Sequence, residues 1–215
     1  MKHIKKIIAV AAAAACTLAM GSMLIACNGG TEYTFEAENA ATEGEGLQMG
    51  NTPGPATVTE SGVLWSEDGT GTDPVGGYEN FNGVGQKIIW TVNADADGKG
   101  TITLYAASNA MAFGESGMSL VELDFESVSA YKLTCNDQEI SLKGKLPATP
   151  MNESSFAQPG TWWHVGTVSG DINLKAGENK IVLEIVGSVD GTMSSGINVD
   201  KIVIKSSTAL SEKAA

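Results

Sequence analysis

The chain has 215 residues, with no arginine, 13 lysines against 25 acidic residues, and a formal charge of −12. So acidic a protein carries no electrostatic footprint for nucleic acid, and an anionic membrane surface or a polyanionic glycan repels it. Neutral ligands and cations are the partners its charge favours.

The first residues stand apart from the rest. Lys2, Lys5 and Lys6 precede an apolar run from Ile7 to Ala26 that ends in Leu24-Ile25-Ala26-Cys27. A charged start, an apolar middle and small residues before a cut describe a secretory signal. The ending resembles a lipobox, the bacterial lipoprotein cleavage site, which makes Cys27 the lipidated first residue of the mature chain. The alternative is an uncleaved membrane-spanning helix, for which the Ala-rich run is only just long enough. Both place the remainder outside the cytoplasm and tethered to a membrane. Removal of residues 1–26 takes three lysines and no acid, so the mature charge is 10 minus 25, or −15. Cys16 leaves with the signal and Cys27 is acylated, so Cys135 is left alone. No disulfide framework exists, and Cys135, in a strand-like run, reads as a buried inert thiol.

After a short tether, 27–32, a single domain is expected over 33–206, with a flexible tail over 207–215. Tyr33 to Ala40 reads as a strand with Tyr33, Phe35 and Ala37 on one face and Glu36 and Glu38 on the other. Residues 42–77 are rich in Gly and Pro, with a possible strand at 56–65. Residues 86–92 and 101–107 read as a hairpin around Asp95-Ala96-Asp97-Gly98-Lys99-Gly100, where Asp95 and Asp97 serve the turn. Trp90 alternates with Ile88 and belongs to the core. Residues 109–117 form a loop, and 119–126 fit a short helix or a strand equally well. Strands follow at 131–136 and 139–142, then a long loop over 146–160. Trp162-Trp163-His164 opens the last third, where Ile181, Leu183 and Ile185 alternate with Val182 and Glu184, a half-buried strand. Short strands with Gly-rich connections and no long helical segment indicate an all-β sandwich or barrel.

Three pieces, in order, resemble carbohydrate-binding modules of families six and thirty-five. They are Phe35-Glu36-Ala37-Glu38-Asn39-Ala40, then Gly77-Tyr78-Glu79-Asn80-Phe81, then Trp162 with Leu174-Lys175-Ala176-Gly177-Glu178-Asn179 and Gly196-Ile197-Asn198-Val199-Asp200. The resemblance implies an all-β fold, a jelly-roll β-sandwich of two antiparallel sheets. It implies non-catalytic binding of neutral poly- or oligosaccharide, in modules that usually accompany a glycoside hydrolase. It also implies a structural Ca2+ held by Glu36, Glu38 and Asp200. Calcium takes roughly six to eight hard oxygens, which carboxylates and carbonyls supply. The alternative is that the glutamates are solvated and Asp200 caps a turn. The implied ligand platform is Phe81 and Trp162, with Asn198 as polar contact and Asn109, Trp163 and Tyr78 as weaker candidates. Sugar rings present a C–H face to a flat aromatic, and their hydroxyls suit an amide that both donates and accepts. Neighbours on a strand face opposite ways, so Trp162 is expected outside and Trp163 inside.

One aromatic face removing on the order of 100 Å² from water yields about 2.5 kcal/mol, and a Kd of about 1 mM already needs ~4 kcal/mol. Each site is therefore expected to bind weakly, with many membrane-anchored copies compensating through avidity. For catalysis, the mature chain holds one histidine, His164, and no marked acid–base pair. Glu36 and Glu38, neighbours on one strand, do not flank a glycosidic bond. The expected function is glycan capture at a bacterial cell surface, for hydrolases or transporters made elsewhere. A protein-interaction module of a surface assembly and a small glycoside hydrolase are the competing readings.

Overall fold

A computed structural model describes residues 30–49, 78–114, 117–147, 165–192 and 194–213. Cys27, the 56–65 strand and Trp162-Trp163-His164 lie outside them. In chain order the strands are β1 (Thr31–Glu36), β2 (Ala41–Glu43), β3 (Gln48–Met49), β4 (Tyr78–Phe81), β5 (Lys87–Ala94), β6 (Gly98–Gly114), β7 (Gly117–Leu120) and β8 (Leu123–Asp124). They continue as β9 (Tyr131–Cys135), β10 (Gln138–Ile140), β11 (Lys145–Leu146), β12 (Val165–Leu174), β13 (Gly177–Ile185), β14 (Ser194–Ser206) and β15 (Leu210–Glu212). One sheet runs β12-β6-β14-β4-β3, with β1 added to β14 and β7 to β6. The other runs β10-β9-β13-β5-β15, with β2 added to β5, and β8 with β11 forms a small third sheet. The pairings are antiparallel. The all-β sandwich expected from the sequence is the observed architecture.

Period two builds the core. Along β5, Ile88, Trp90, Val92 and Ala94 point inward, and along β13 Ile181, Leu183 and Ile185 do the same, all of them buried. They meet Ile102, Leu104 and Ala106 of β6 and Ile202 and Ile204 of β14 across the layer in one apolar cluster. Trp90 is 3% exposed and Cys135 is buried with it, as their positions in strands suggested. Burial pushes the Cys135 thiol up to about 11, which keeps it protonated and unreactive.

At one end the chain crosses between the sheets three times: β5 to β6, β12 to β13 and β14 to β15. This corrects the expected hairpin around Asp95–Gly100. β5 pairs with β13 and β6 with β12 and β14, so the turn is an arch between layers. Alternation reports which face is buried but not which strand lies alongside. The arches are stitched to one another. Asp97 accepts the Ala176 N–H at 2.8 Å and the Lys175 ammonium at 3.2 Å, and these two donors hold its carboxyl below the ordinary value. Asp95 N–H donates to the Ala209 carbonyl and Ala96 N–H to Thr208 Oγ1, each at 3.1 Å.

Asn179, fully buried, completes the stitching. Its Oδ1 accepts Lys175 N–H and Asn136 Nδ2, and its Nδ2 donates to the carbonyls of Lys175 and Gly177. Removing such an amide leaves buried groups unpaired at about 1–3 kcal/mol each. Asn136 and Asp137, at φ of 50° and 65°, form the two-residue β9–β10 hairpin loop, where these side chains tolerate left-handed backbone.

The expected flexible tail is corrected as well. β15 pairs with β5, Leu210 is buried and Lys213 meets Glu178 at 2.6 Å. Leu210 is a lone apolar residue among Ser, Thr and Ala, too little for a pattern to show. Within 119–126 the chain forms strand at the end of β7 and again in β8, with irregular backbone between them, a turn after them and no helix. Finally, Lys143 and Ser169 exchange backbone hydrogen bonds at 2.8 and 2.9 Å, closing the β12 edge with the segment after β10. Gly170 permits this, because a Cβ there would lie 2.6 Å from the Ser141 carbonyl.

Candidate functional site

β14 is the strand on which the separated pieces of sequence meet. Its second half pairs with β1, where Glu36 faces Lys201. Its first half pairs with β4, where Ile197 faces Phe81 and Val199 faces Tyr78. On its other side Gly196 faces Asn109 and Asn198 faces Ala107. Between the two halves the register shifts: Val199 opposes Ala106 and Lys201 opposes Tyr105, so Asp200 is an extra residue with no partner on β6. This is a β-bulge, which re-aims a side chain and bends the strand.

The bulge sits where one neighbour of β14 ends and the next begins. β1 stops at Glu36, and Ala37–Asn39 turn as a short 3-10 helix. The Trp90 indole N–H donates to the Glu36 carbonyl at 3.2 Å and fixes this corner. Glu36 and Glu38 therefore do not share a strand face, as strict alternation had them. They lie on either side of a strand-to-helix boundary.

The corner is electrostatically expensive. Asp200 is 1% exposed. Neither of its carboxylate oxygens, nor Glu38 Oε2, has a hydrogen-bond partner among the described residues. Burial, then the charges of Glu36 and Glu38, push the Asp200 carboxyl up to about 8. Lys201 Nζ stands 3.7 Å from Asp200 Oδ2 but also lies 5.2 Å from the centre of the Tyr105 ring, and it does not outweigh the burial. Glu36 is raised too, by burial first and by Glu38 and Glu212, against the opposing pull of Lys201. Among the described residues no group of three or more acids, histidines or cysteines is arranged as an ion cage. Such a corner relieves itself by holding a proton, or by holding a cation whose remaining ligands are carbonyls or water.

At the end of the sandwich opposite the three arches lie the residues expected to meet a ligand. Tyr78 and Phe81 on β4, Asn198 on β14 and Asn109 on β6 occupy adjacent strands there. Val165, the first described residue after the tryptophan pair, faces Ala107 on the same β6. Phe81 is a correction: its ring is fully buried in the apolar cluster and has no face left for a sugar. It faces buried Ile197, so the expected platform residue is core. Asn198 is 2% exposed, a buried amide rather than an open contact. Trp162 and Trp163 lie outside the described residues, as do the side chains of Tyr78 and Asn109. Sequence reasoning missed Gln86. Its Oε1 accepts Asn82 and Gly83 N–H, both at 2.8 Å, and its Nε2 donates to the Glu45 carbonyl at 2.7 Å. It thereby holds the β4–β5 turn at this end, and a glutamine at a strand start carries no pattern to announce it.

No family model and no curated protein matches the sequence. Solved structures do resemble the fold. The C-terminal CBM6 of LamC, a laminarinase from Zobellia galactanivorans, is similar at 15% identity and a TM-score of 0.45, over 81% of this chain and 98% of that one. A family 35 carbohydrate-binding module from Clostridium thermocellum is similar at 17% identity and a TM-score of 0.44, over 80% and 96%. Against the Podospora anserina GH26-CBM35 β-(1,4)-mannanase the identity is 15% and the TM-score 0.47, over 85% of this chain but only 29% of that one.

The buried carboxyl sets a pH dependence. Asp200 holds its proton more tightly in the fold, at about 8, than in the unfolded chain at its ordinary 3.8. The unfolded chain then binds fewer protons, and this group's contribution to stability falls as pH rises through that window. In the presence of a chelator, Asp200→Asn is expected to stabilise the protein at about pH 8 by on the order of a few kcal/mol and to have little effect near pH 4. Urea midpoints of both proteins across that range measure it, and a pH-independent difference between them would refute the assignment.

Proposed function

We propose that this protein captures neutral glycan without transforming it, as a lipid-anchored module at a bacterial cell surface. The observation that carries the reading is the convergence on β14. Glu36 on β1, Tyr78 and Phe81 on β4, and Asn198 and Asp200 on β14 itself are far apart in sequence and adjacent in the sheets. These are the pieces through which the sequence resembles carbohydrate-binding modules of families six and thirty-five. The ligand surface belongs to the end of the sandwich where the β4–β5 turn and the start of β14 lie. With Phe81 in the core, the stacking face falls to Trp162, with Trp163 and Tyr78 as its alternatives. The ligand is a poly- or oligosaccharide, and hydrolases or transporters made elsewhere would receive it.

Glycan arrays and affinity electrophoresis in neutral polysaccharides test this. The wild type is expected to bind, with a Kd per site of about 0.1–1 mM, and Trp162→Ala to lose most of the retardation. Full retention in Trp162→Ala would remove the stacking platform, and a wild type that binds no saccharide would remove the function.

The acid corner fits a structural calcium ion. Asp200 and Glu38 present three buried oxygens without hydrogen bonds, hard ligands of the kind calcium takes. A bound cation would replace the mutual repulsion of three carboxylates with attraction, and its role is to fix the β1–β14 corner. A chelator is therefore expected to lower the Tm, added Ca2+ to restore it, and Glu38→Ala to weaken the response. A Tm indifferent to both reagents would exclude the ion.

Cys27 would carry the lipid. Metabolic labelling with radioactive palmitate should mark the wild type and leave Cys27→Ser unmarked; equal labelling of both would exclude acylation there.

A further inference from the structure

We propose that a groove beside the 125–131 turn is a second saccharide subsite, accepting one neutral glycosyl unit. This rests on the glycan-capture reading and adds to it. The groove has a volume of about 550 Å³, within the range of small-molecule sites. It shares no residue with the candidate ligand surface around β4 and β14. One wall is a stacked aromatic pair, Phe125 and Tyr131, with ring centres 5.2 Å apart and planes at 16°. Its floor reaches Leu133, Ile140 and Leu142 of the apolar cluster.

Two observations indicate what the groove takes. The first is its apolar lip. Val186, 44% exposed, lines it. Val186 and Val84 are the exposed large hydrophobic residues among those described. Both lie at the β4–β5 end, where Gly85 N–H bonds the Ile185 carbonyl at 2.8 Å. Among the described residues, the large exposed apolar side chains thus lie at the end assigned to ligand.

The second is charge. On a chain of net −12, the groove has two ammonium groups, Lys132 and Lys143, against two carboxylates, Glu126 and Glu139. Lys132 and Glu139 pair at 3.6 Å. A charge-balanced rim over an apolar floor selects a neutral ligand with an apolar face. The hydroxyls of a glycosyl ring can donate to the carboxylates and accept from the ammonium groups, while its C–H face meets the floor.

Ser129 and Val186 are exposed positions on the groove, suited to blocking it without opening the core. The probes are soluble mannan, xylan, β-1,3-glucan and dextran in affinity gels, followed by calorimetric titration with oligosaccharides of the polymer bound best. Two sites per protein are expected in the wild type. Ser129→Trp, which fills the groove, and Val186→Glu, which puts a charge at its mouth, should each leave one site and weaken polymer retardation about tenfold. Thermal melts confirm folding, and Val186→Glu serves alone should the bulkier variant unfold. One site per protein, unchanged by either variant and abolished by Trp162→Ala, would overturn the groove and leave the capture reading intact. Failure of the wild type to bind any probe would overturn both.

Discussion

A carboxylate buried in the middle of a sheet is the constraint around which this fold is arranged. Asp200 has no place on the ladder of β6, because the register passes from Val199–Ala106 to Lys201–Tyr105 around it. The bulge lies where β14 exchanges one neighbour, β1, for another, β4. An ordinary strand residue at that point would be covered on both edges. Here the extra residue lies at the corner formed by Glu36, which ends β1, and Glu38, in the 3-10 turn that follows. Three acids in one corner cost free energy in any uncompensated form. The Lys201 ammonium offsets part of that cost, and a proton on Asp200, or the calcium ion proposed above, would relieve the rest.

The rest of the structure divides into a stitched end and an open end. At the first, three arches cross between the sheets and bond one another through Asp97, Asp95 and Thr208, with Asn179 locking the β12–β13 arch beneath. The second carries the exposed valines, the Gln86-braced turn, the start of β14 and the groove beside Phe125. Among the described residues, the bonds between arches gather at one end, and turns and strand ends make up the other. That is the usual arrangement for a binding scaffold.

What the sequence made legible follows from what periodicity encodes. Ile181, Leu183 and Ile185 gave β13 and its buried face, and Ile88 with Trp90 gave β5. Period two identifies a face and is silent on neighbours, which is why the β5–β6 arch read as a hairpin. Strict alternation puts Glu36 and Glu38 on one face only in a strand that continues past Glu36; β1 ends there, with the Trp90 indole bonded to the Glu36 carbonyl. The resemblance specifies residue type and so points to Phe81 as a platform, while its burial depends on Ile197 across the ladder and the core behind it. The β15 strand rests on Leu210 and on backbone bonds to β5, neither of which leaves a pattern in the chain. The Asp200 bulge is a register event between strands more than ninety residues apart, of which one carboxylate in an apolar run was the only sign.

The geometry also has a consequence for how an anchored module would stand on a membrane. β1 begins at Thr31, opposite Ser206, at the stitched end. Gly30 packs beside Lys205 and Ser206 there. Cys27 precedes Gly30 by only three residues, a reach of about 10 Å at full extension. An acyl chain on Cys27 would therefore hold the stitched end against the bilayer. Along β6, Gly100 lies opposite Ser206 and Asn109 opposite Gly196. Nine residues of strand separate them, about 30 Å at the rise of an antiparallel strand. The open end would then face away from the lipid headgroups, beyond the roughly 8 Å over which their charge acts at physiological salt. Such a tether would give little lateral reach, so a polymer ligand would have to come to the site. Single contacts of modest strength then suffice only where many anchored copies, or two subsites on one copy, engage the same chain.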